Sequence, residues 1–276
     1  AEPLLRSLLE PDRNYNQPVV MQARRSLAGI LAARDHESFQ EALAFLDANL
    51  AAGGDRTTDM VAKASILAAR PNPSQLREAM LLLQELDSKQ ALNSQSRVLL
   101  AQLCDALGER ETASQHWQQL LGQNAQSIHI AMYVRRQLQN KDLEDVPPLL
   151  AQLQKLEPNI AAELTFRWQV QSGDADGGIQ SLTRYLAQAD PSPELHARRI
   201  YQVAELVEGV ASGLKQDSKE REQLLTASET WYRKILEKVP EATLALARLL
   251  GRAGRISEAL KLCDGARTAL SSYQVC

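Results

Sequence analysis

LAQLCDALGERETASQHWQQL, from Leu100 to Leu120, and LARLLGRAGRISEALKLCDGA, from Leu246 to Ala266, state one pattern twice. In each, a Leu-Ala pair is followed by a glycine (Gly108, Gly254), then an alanine (Ala113, Ala259), then a bulky or apolar residue one helical turn on (Trp117, Cys263). That spacing reads as a helix, a turn, and a second helix folded back on the first. One hairpin of this kind cannot bury its apolar face alone. A recurring pattern therefore implies a stack of hairpins sharing a continuous core.

Composition agrees. Hydrophobic residues make up 44% of the 276-residue chain but aromatics only 4%, which suits close-packed Ala/Leu helices and predicts an all-α fold rather than a β-sandwich. No Pro/Gly/Ser-rich linker divides the chain, which favours one elongated array over two globules. A net charge of -3 gives no general pull toward nucleic acid or an anionic membrane, so no nucleic-acid partner is expected. No window approaches the roughly 18 apolar residues of a membrane span, and no membrane insertion is expected. Three cysteines are too few and too scattered for a disulfide framework. Cys104 and Cys263 fall on apolar helical positions and read as small buried hydrophobes, while Cys276 is expected to carry no chemistry. The chain opens on AEP and closes on SSYQVC, and we expect it to be part of a larger protein.

The 3.6-residue period and its turn punctuation predict seven helix pairs. The first joins Val19–Arg34 to Glu37–Ala52, and the second joins Thr58–Arg70 to Ser74–Asp87 across RPNPS. The third, Ser94–Leu107 with Glu111–Leu121, is the first copy of the pattern. Ser127–Asn140 with Leu143–Leu156 and Ile160–Ser172 with Ala175–Ala189 follow. The sixth, at about 193–240, is elongated, with a long helix from Glu194, a charged loop at Lys215–Arg221 and a helix at Glu222–Val239; the seventh is the second copy. The array is thus read as 19–270, preceded by an arm or short helix at 1–18 that includes Leu4–Glu10, and followed by a tail at 271–276. Ala42, Ala79, Ala113, Val146, Gly178, Ala227 and Ala259 mark the tight point of each second helix. They recur close to the roughly 34 residues of a helical-hairpin repeat, except across the elongated sixth pair.

Small residues at the tight points, a glycine at the turn and a proline after the second helix together resemble the tetratricopeptide-repeat family. The third and seventh pairs carry the resemblance through Leu100, Ala101, Gly108, Ala113 and Trp117, and through Leu246, Ala247, Gly254, Ala259 and Ala266. The fourth adds LQKLEPN with Pro158, and the sixth adds ASETWYRKILEKVPE with Ala227, Trp231 and Pro240. The first, second and fifth pairs are degenerate. What the resemblance implies is a right-handed α-solenoid, a superhelix of antiparallel hairpins whose first helices line a concave groove.

The chain lacks the convergent acids, bases and nucleophiles of an active site, so a non-catalytic protein is expected, with no cofactor and no metal. His36, His116, His129 and His196 fall in different repeats without metal spacing and read as surface or helix-end residues. DADGG at Asp174–Gly178 lacks the distal glutamate of a calcium loop. The residue two after the Leu of each Leu-Ala pair is Gln102 or Arg248, and the same phase selects Arg135 and Arg167. In the family this position faces the groove. Arg252 and Trp168 are added as neighbours, and this set is the candidate peptide-binding groove. Planar guanidiniums there would suit the carboxylates of an acidic protein or peptide. The Lys-and-Asn pattern that clamps a terminal carboxylate in chaperone-binding relatives is absent, with Val98, Ala131 and Leu244 at the matching turn. The leading expectation is a protein-protein interaction scaffold; the alternative is a helical-repeat RNA-binding module. Leu260, Leu262, Cys263 and Leu270 on the last helix further predict either a homo-oligomer through the C-terminal repeat or a truncated natural array.

Overall fold

A computed structural model of the chain describes residues 1–10, 15–122, 125–188 and 190–266. Leu270, Cys276 and the tail expected at 271–276 lie outside the described residues, as does Ala189 at the expected end of the fifth pair. The described residues form fifteen α-helices and no strand, packed in consecutive neighbouring pairs as an all-α repeat fold. Contacts group the chain into two units, Ala1–Ala125 and Gln126–Cys276.

The first unit holds α1 (Glu2–Ser7), α2 (Gln17–Leu31), α3 (His36–Ala51), α4 (Arg56–Ala68), α5 (Pro73–Ser88), α6 (Ser94–Ala106) and α7 (Arg110–Leu120). Helices α2 to α6 all begin on an Asn or Asp side chain. Asn16, Asp35, Asp55, Asn72 and Asn93 each accept a hydrogen bond from a backbone N–H of the first turn, satisfying a donor the helix itself leaves unpaired. The hairpins α2–α3, α4–α5 and α6–α7 close over Leu27, Phe39, Leu46, Met60, Leu67, Leu83 and Trp117, all buried. Helix α1 is tied to the first hairpin by ion pairs, Arg6 to Glu41 at 2.7 Å and Arg34 to Glu2 at 2.6 Å. A buried polar junction joins α2, α3 and α4. Asp59 is fully buried, and its Oδ1 accepts from Arg25 and from the Asn49 amide, each at 3.0 Å, while Asn49 also donates to the Met21 carbonyl.

The second unit holds α8 (Ser127–Asn140), α9 (Val146–Leu156), α10 (Pro158–Gln171), α11 (Ala175–Leu186), α12 (Pro193–Ser212), α13 (Lys219–Ile235), α14 (Glu241–Arg252) and α15 (Ile256–Ala266). One buried cluster runs from Ala162 and Phe166 on α10 through Val207 and Tyr232 to Leu246 and Ala259. In the sixth pair α12 runs for 20 residues, the longest helix among the described residues. The charged loop of this pair is shorter than expected, because Ser218 caps α13 by accepting from the Arg221 N–H and so starts the helix at Lys219.

Four hairpins turn in the same way. Gly108, Gly173 and Gly254 take φ of 83°, 84° and 77°, and Lys141 takes 57°. In each case the next N–H reaches back to close the helix end: Glu109 to Cys104, Asp174 to Gln169, Arg255 to Leu250 and Asp142 to Gln137, at 2.8–2.9 Å. The turn needs the left-handed conformation, which an L side chain resists.

The tight points are buried as the period requires: Ala42, Ala79, Ala113, Val146 and Gly178 all lie inside, with Ala259 at the edge. A Cβ on Gly178 would come within 3.0 Å of the Phe166 ring. The sixth pair corrects the sequence reading by one residue. Ala227 is only half-buried, while Ser228 is fully buried with its hydroxyl donating to the Ala204 carbonyl at 2.8 Å. A small, satisfied serine fills the slot as well as alanine, and the shift puts Tyr232 rather than Trp231 in the large-residue position. We expect Gly178→Leu to overpack this crossing and cost about 1–3 kcal/mol in urea unfolding. Lys141→Gly, which relieves a left-handed L residue, is expected to raise stability by about 0.5–1 kcal/mol in the same assay.

Candidate functional site

On α8, α10 and α14 the residues Arg135, Arg167 and Arg248 each follow a buried residue, Val134, Phe166 or Ala247, so the helix brings each to the surface at the edge of its packed face. The structure gathers the predicted arginines into two groups within the second unit. Arg135 and Arg167 share Glu163 of α10, at 3.7 Å and 3.0 Å. Arg248 and Arg252 share Glu208 of α12, at 3.2 Å and 3.3 Å.

The two groups differ physically. Glu163 and its arginines are all half-buried, so water screens both pairs and each is worth no more than about 1 kcal/mol. Glu208 is 6% exposed, against 49% for Arg248 and 63% for Arg252. Its Oε2 also accepts from the Tyr232 hydroxyl at 3.1 Å. A carboxylate taken out of water needs such partners to remain tolerable. Glu208 is thus a fixed part of the core, with the guanidiniums lying over it at the surface.

The remaining predicted residues separate. Gln102 is exposed on α6 of the first unit. Trp168, expected as a groove aromatic, is half-buried and its indole donates to the Leu143 carbonyl at 3.3 Å, which ties α10 to the turn before α9. Leu260 is exposed, whereas Leu262 and Cys263 of the expected self-association surface pack against the core. Two histidines depart from the surface reading. His116 and His129 are buried, and burial, with the nearby Arg97 cation as a lesser cause, holds His116 below its ordinary value. The imidazole sits beside an Arg97 that pairs with Asp87 at 2.8 Å and with Gln119. The Cys104 thiol is pushed up to about 11, first by burial and then by Glu109 and Asp105, so it is not a thiolate at neutral pH.

Sequence reasoning missed Glu205. The elongated α12 hides the repeat phase, but the structure shows the buried Ala204 followed by an exposed Glu205, the arrangement that carries arginine on α8, α10 and α14. The signal was present in the Val203-Ala204 pair, which matches the Leu-Ala pairs at 100 and 246.

Two open clefts involve the first helices of the second unit. One, of ≈ 240 Å³, is lined by Arg135, Leu138, Gln139, Glu163, Arg167 and Gln171 of α8 and α10. The other, of ≈ 530 Å³, lies among α10, α11 and α12, with Ala162, Leu182, Val203 and Leu206 as its apolar part and Asn159, Glu163, Tyr185, Arg199, Gln202 and Glu205 as its polar part. Among the described residues no group of three or more His, Cys, Asp and Glu could hold a metal ion, and no helix is long and apolar enough to cross a membrane. Compared with known family models and with curated proteins, the chain matches none.

Removing the carboxylate by Glu208→Ala strands the buried Tyr232 hydroxyl, and we expect a loss of about 1–3 kcal/mol in urea unfolding. Burial first, and then Glu208, raises the Tyr232 phenol, while burial and the hydrogen bond to Glu205 push Tyr201 up to about 12. Both folded values exceed the unfolded one, so this contribution to stability is complete below about pH 10, is lost for Tyr201 as pH rises through 10 to 12, and for Tyr232 goes on declining above that window. Tyr232→Phe is expected to flatten that alkaline decline, read as unfolding midpoint against pH.

Proposed function

We propose that this chain is a non-catalytic protein-interaction scaffold of the tetratricopeptide-repeat type, whose second unit holds a peptide or extended segment of a partner along its first helices. The right-handed superhelical stacking of that family belongs to the same proposal. One observation carries the reading. The first helices α8, α10, α12 and α14 bring charged residues of one repeat phase to the surface, and two open clefts lie among them. Arg135 and Arg167 are held only by a screened pair with Glu163, so a ligand carboxylate can compete for them at little cost. Arg248 and Arg252 outnumber the one carboxylate they share, which suits an acidic residue of the partner at that end.

Selection of random peptides displayed on phage against the full chain tests this. The expected result is an enriched sequence family whose affinity falls about tenfold or more in the Arg135→Ala/Arg167→Ala or Arg248→Ala/Arg252→Ala variant, as for anchor residues of an interface. No enrichment, or peptides indifferent to all four arginines, would overturn it. A salt-sensitive shift of single-stranded RNA abolished by the same variants would replace it with the RNA-binding reading.

A further inference from the structure

The larger cleft differs in sign from the rest of the face. Its floor is apolar, made by Ala162 of α10, Leu182 of α11 and Val203 and Leu206 of α12. At ≈ 530 Å³ it is of the size that small-ligand and side-chain sites commonly have. The cations near it already have partners. Arg199 donates to Asp190 and to the Gln188 carbonyl and lies over the Tyr185 ring at 4.9 Å, while Arg167 pairs with Glu163. Glu205 is different: it is exposed, lines the cleft, and accepts the Tyr201 hydroxyl at 2.9 Å, with no cation paired to it among the described residues. It stands at the register that places arginine on α8, α10 and α14, so the sign of the face reverses at this cleft.

We propose that this cleft takes a lysine or arginine side chain of the bound partner segment, its aliphatic stem over the apolar floor and its charged head at Glu205. This rests on the reading of the face as a segment-binding surface. An amphipathic cation fits both features, because its methylene stem covers apolar surface while its head stays at the wet rim. A partner aspartate or glutamate would meet Glu205, and Glu163 beyond it, as like charges. The partner segment is therefore of mixed charge, basic at the α10–α12 cleft and acidic where it meets Arg248 and Arg252.

The test is a titration of the isotope-labelled full chain, followed by amide NMR shifts, with two blocked alanine/leucine heptapeptides that differ only in a central arginine or glutamate. The arginine peptide is expected to shift the amides of Leu182, Val203, Glu205 and Leu206 and to bind about two- to fivefold tighter than the glutamate peptide, the ratio of a partly exposed ion pair. That ratio should shrink as salt is raised. Glu205→Gln should abolish the preference and Glu205→Arg reverse it; because Glu205 is exposed, both variants should melt as the parent does. If the glutamate peptide shifts these amides equally or more strongly, or if Glu205→Gln leaves the preference intact, the cation site is overturned while the binding face stands. If neither peptide shifts any amide of α8, α10, α12 or α14, both fall.

Discussion

Five of the second helices, α3, α5, α7, α11 and α13, carry one small, fully enclosed residue where they pack against their neighbours, and the architecture depends on that closeness. Backbones at a separation of about 8–10 Å leave no room for a large side chain at the crossing. Ala42, Ala79, Ala113, Gly178 and Ser228 meet the requirement in different ways. Gly178 meets it by having no side chain, with the Phe166 ring occupying the space a Cβ would need. Ser228 meets it by turning its hydroxyl onto the Ala204 carbonyl, so that a polar group enters the crossing without an unpaired donor. The large residues then fall one turn on, as Trp117 and Tyr232, where they fill the space that the close approach has opened.

Among the described residues each unit also contains one buried carboxylate that links several helices. Asp59 brings together Arg25 of α2 and Asn49 of α3, and Glu208 brings together Tyr232 of α13 with Arg248 and Arg252 of α14. Apolar packing is non-directional, and helices held by it alone could slide or rotate. A buried carboxylate with placed donors accepts one geometry, and leaving it unpaired is costly. In the second unit the same residue also fixes the two arginines over the core, which links the packing of α12 against α14 to the chemistry of the surface above it.

Much of the fold was legible because its signals are local. The 3.6-residue period located every helix pair, and the turn glycines Gly108 and Gly254 lie where a left-handed stop was needed. The start of α13 was misplaced because a single serine cap outweighs the charge run around it. The slip from Ser228 to Ala227 has a related origin. The tight slot selects for size, and alanine drew the assignment while the hydrogen bond that suits serine lies 24 residues away in sequence. The candidate site was legible only as a register. Periodicity named Arg135, Arg167 and Arg248, and the i,i+4 spacing pairs Glu163 with Arg167, but nothing local links Glu163 to Arg135 or Glu208 to Arg248 and Arg252. It passed over Glu205 because the extra length of α12 broke the phase count. Trp168 shows the opposite limit, since a helix wheel places a ring near a surface but does not reveal the carbonyl of Leu143 waiting for its N–H.

The three bonds of Glu208 span 24, 40 and 44 residues of chain. These contacts, like the rest of a stack of hairpins, form within one hairpin or with the helix that follows it. What sets Glu208 apart is that one dehydrated carboxylate draws on two neighbouring helices at once, α13 for the tyrosine and α14 for the guanidiniums. A register that displaces either helix leaves a buried charge short of partners, so this one residue distinguishes a correct stacking from a merely compact one.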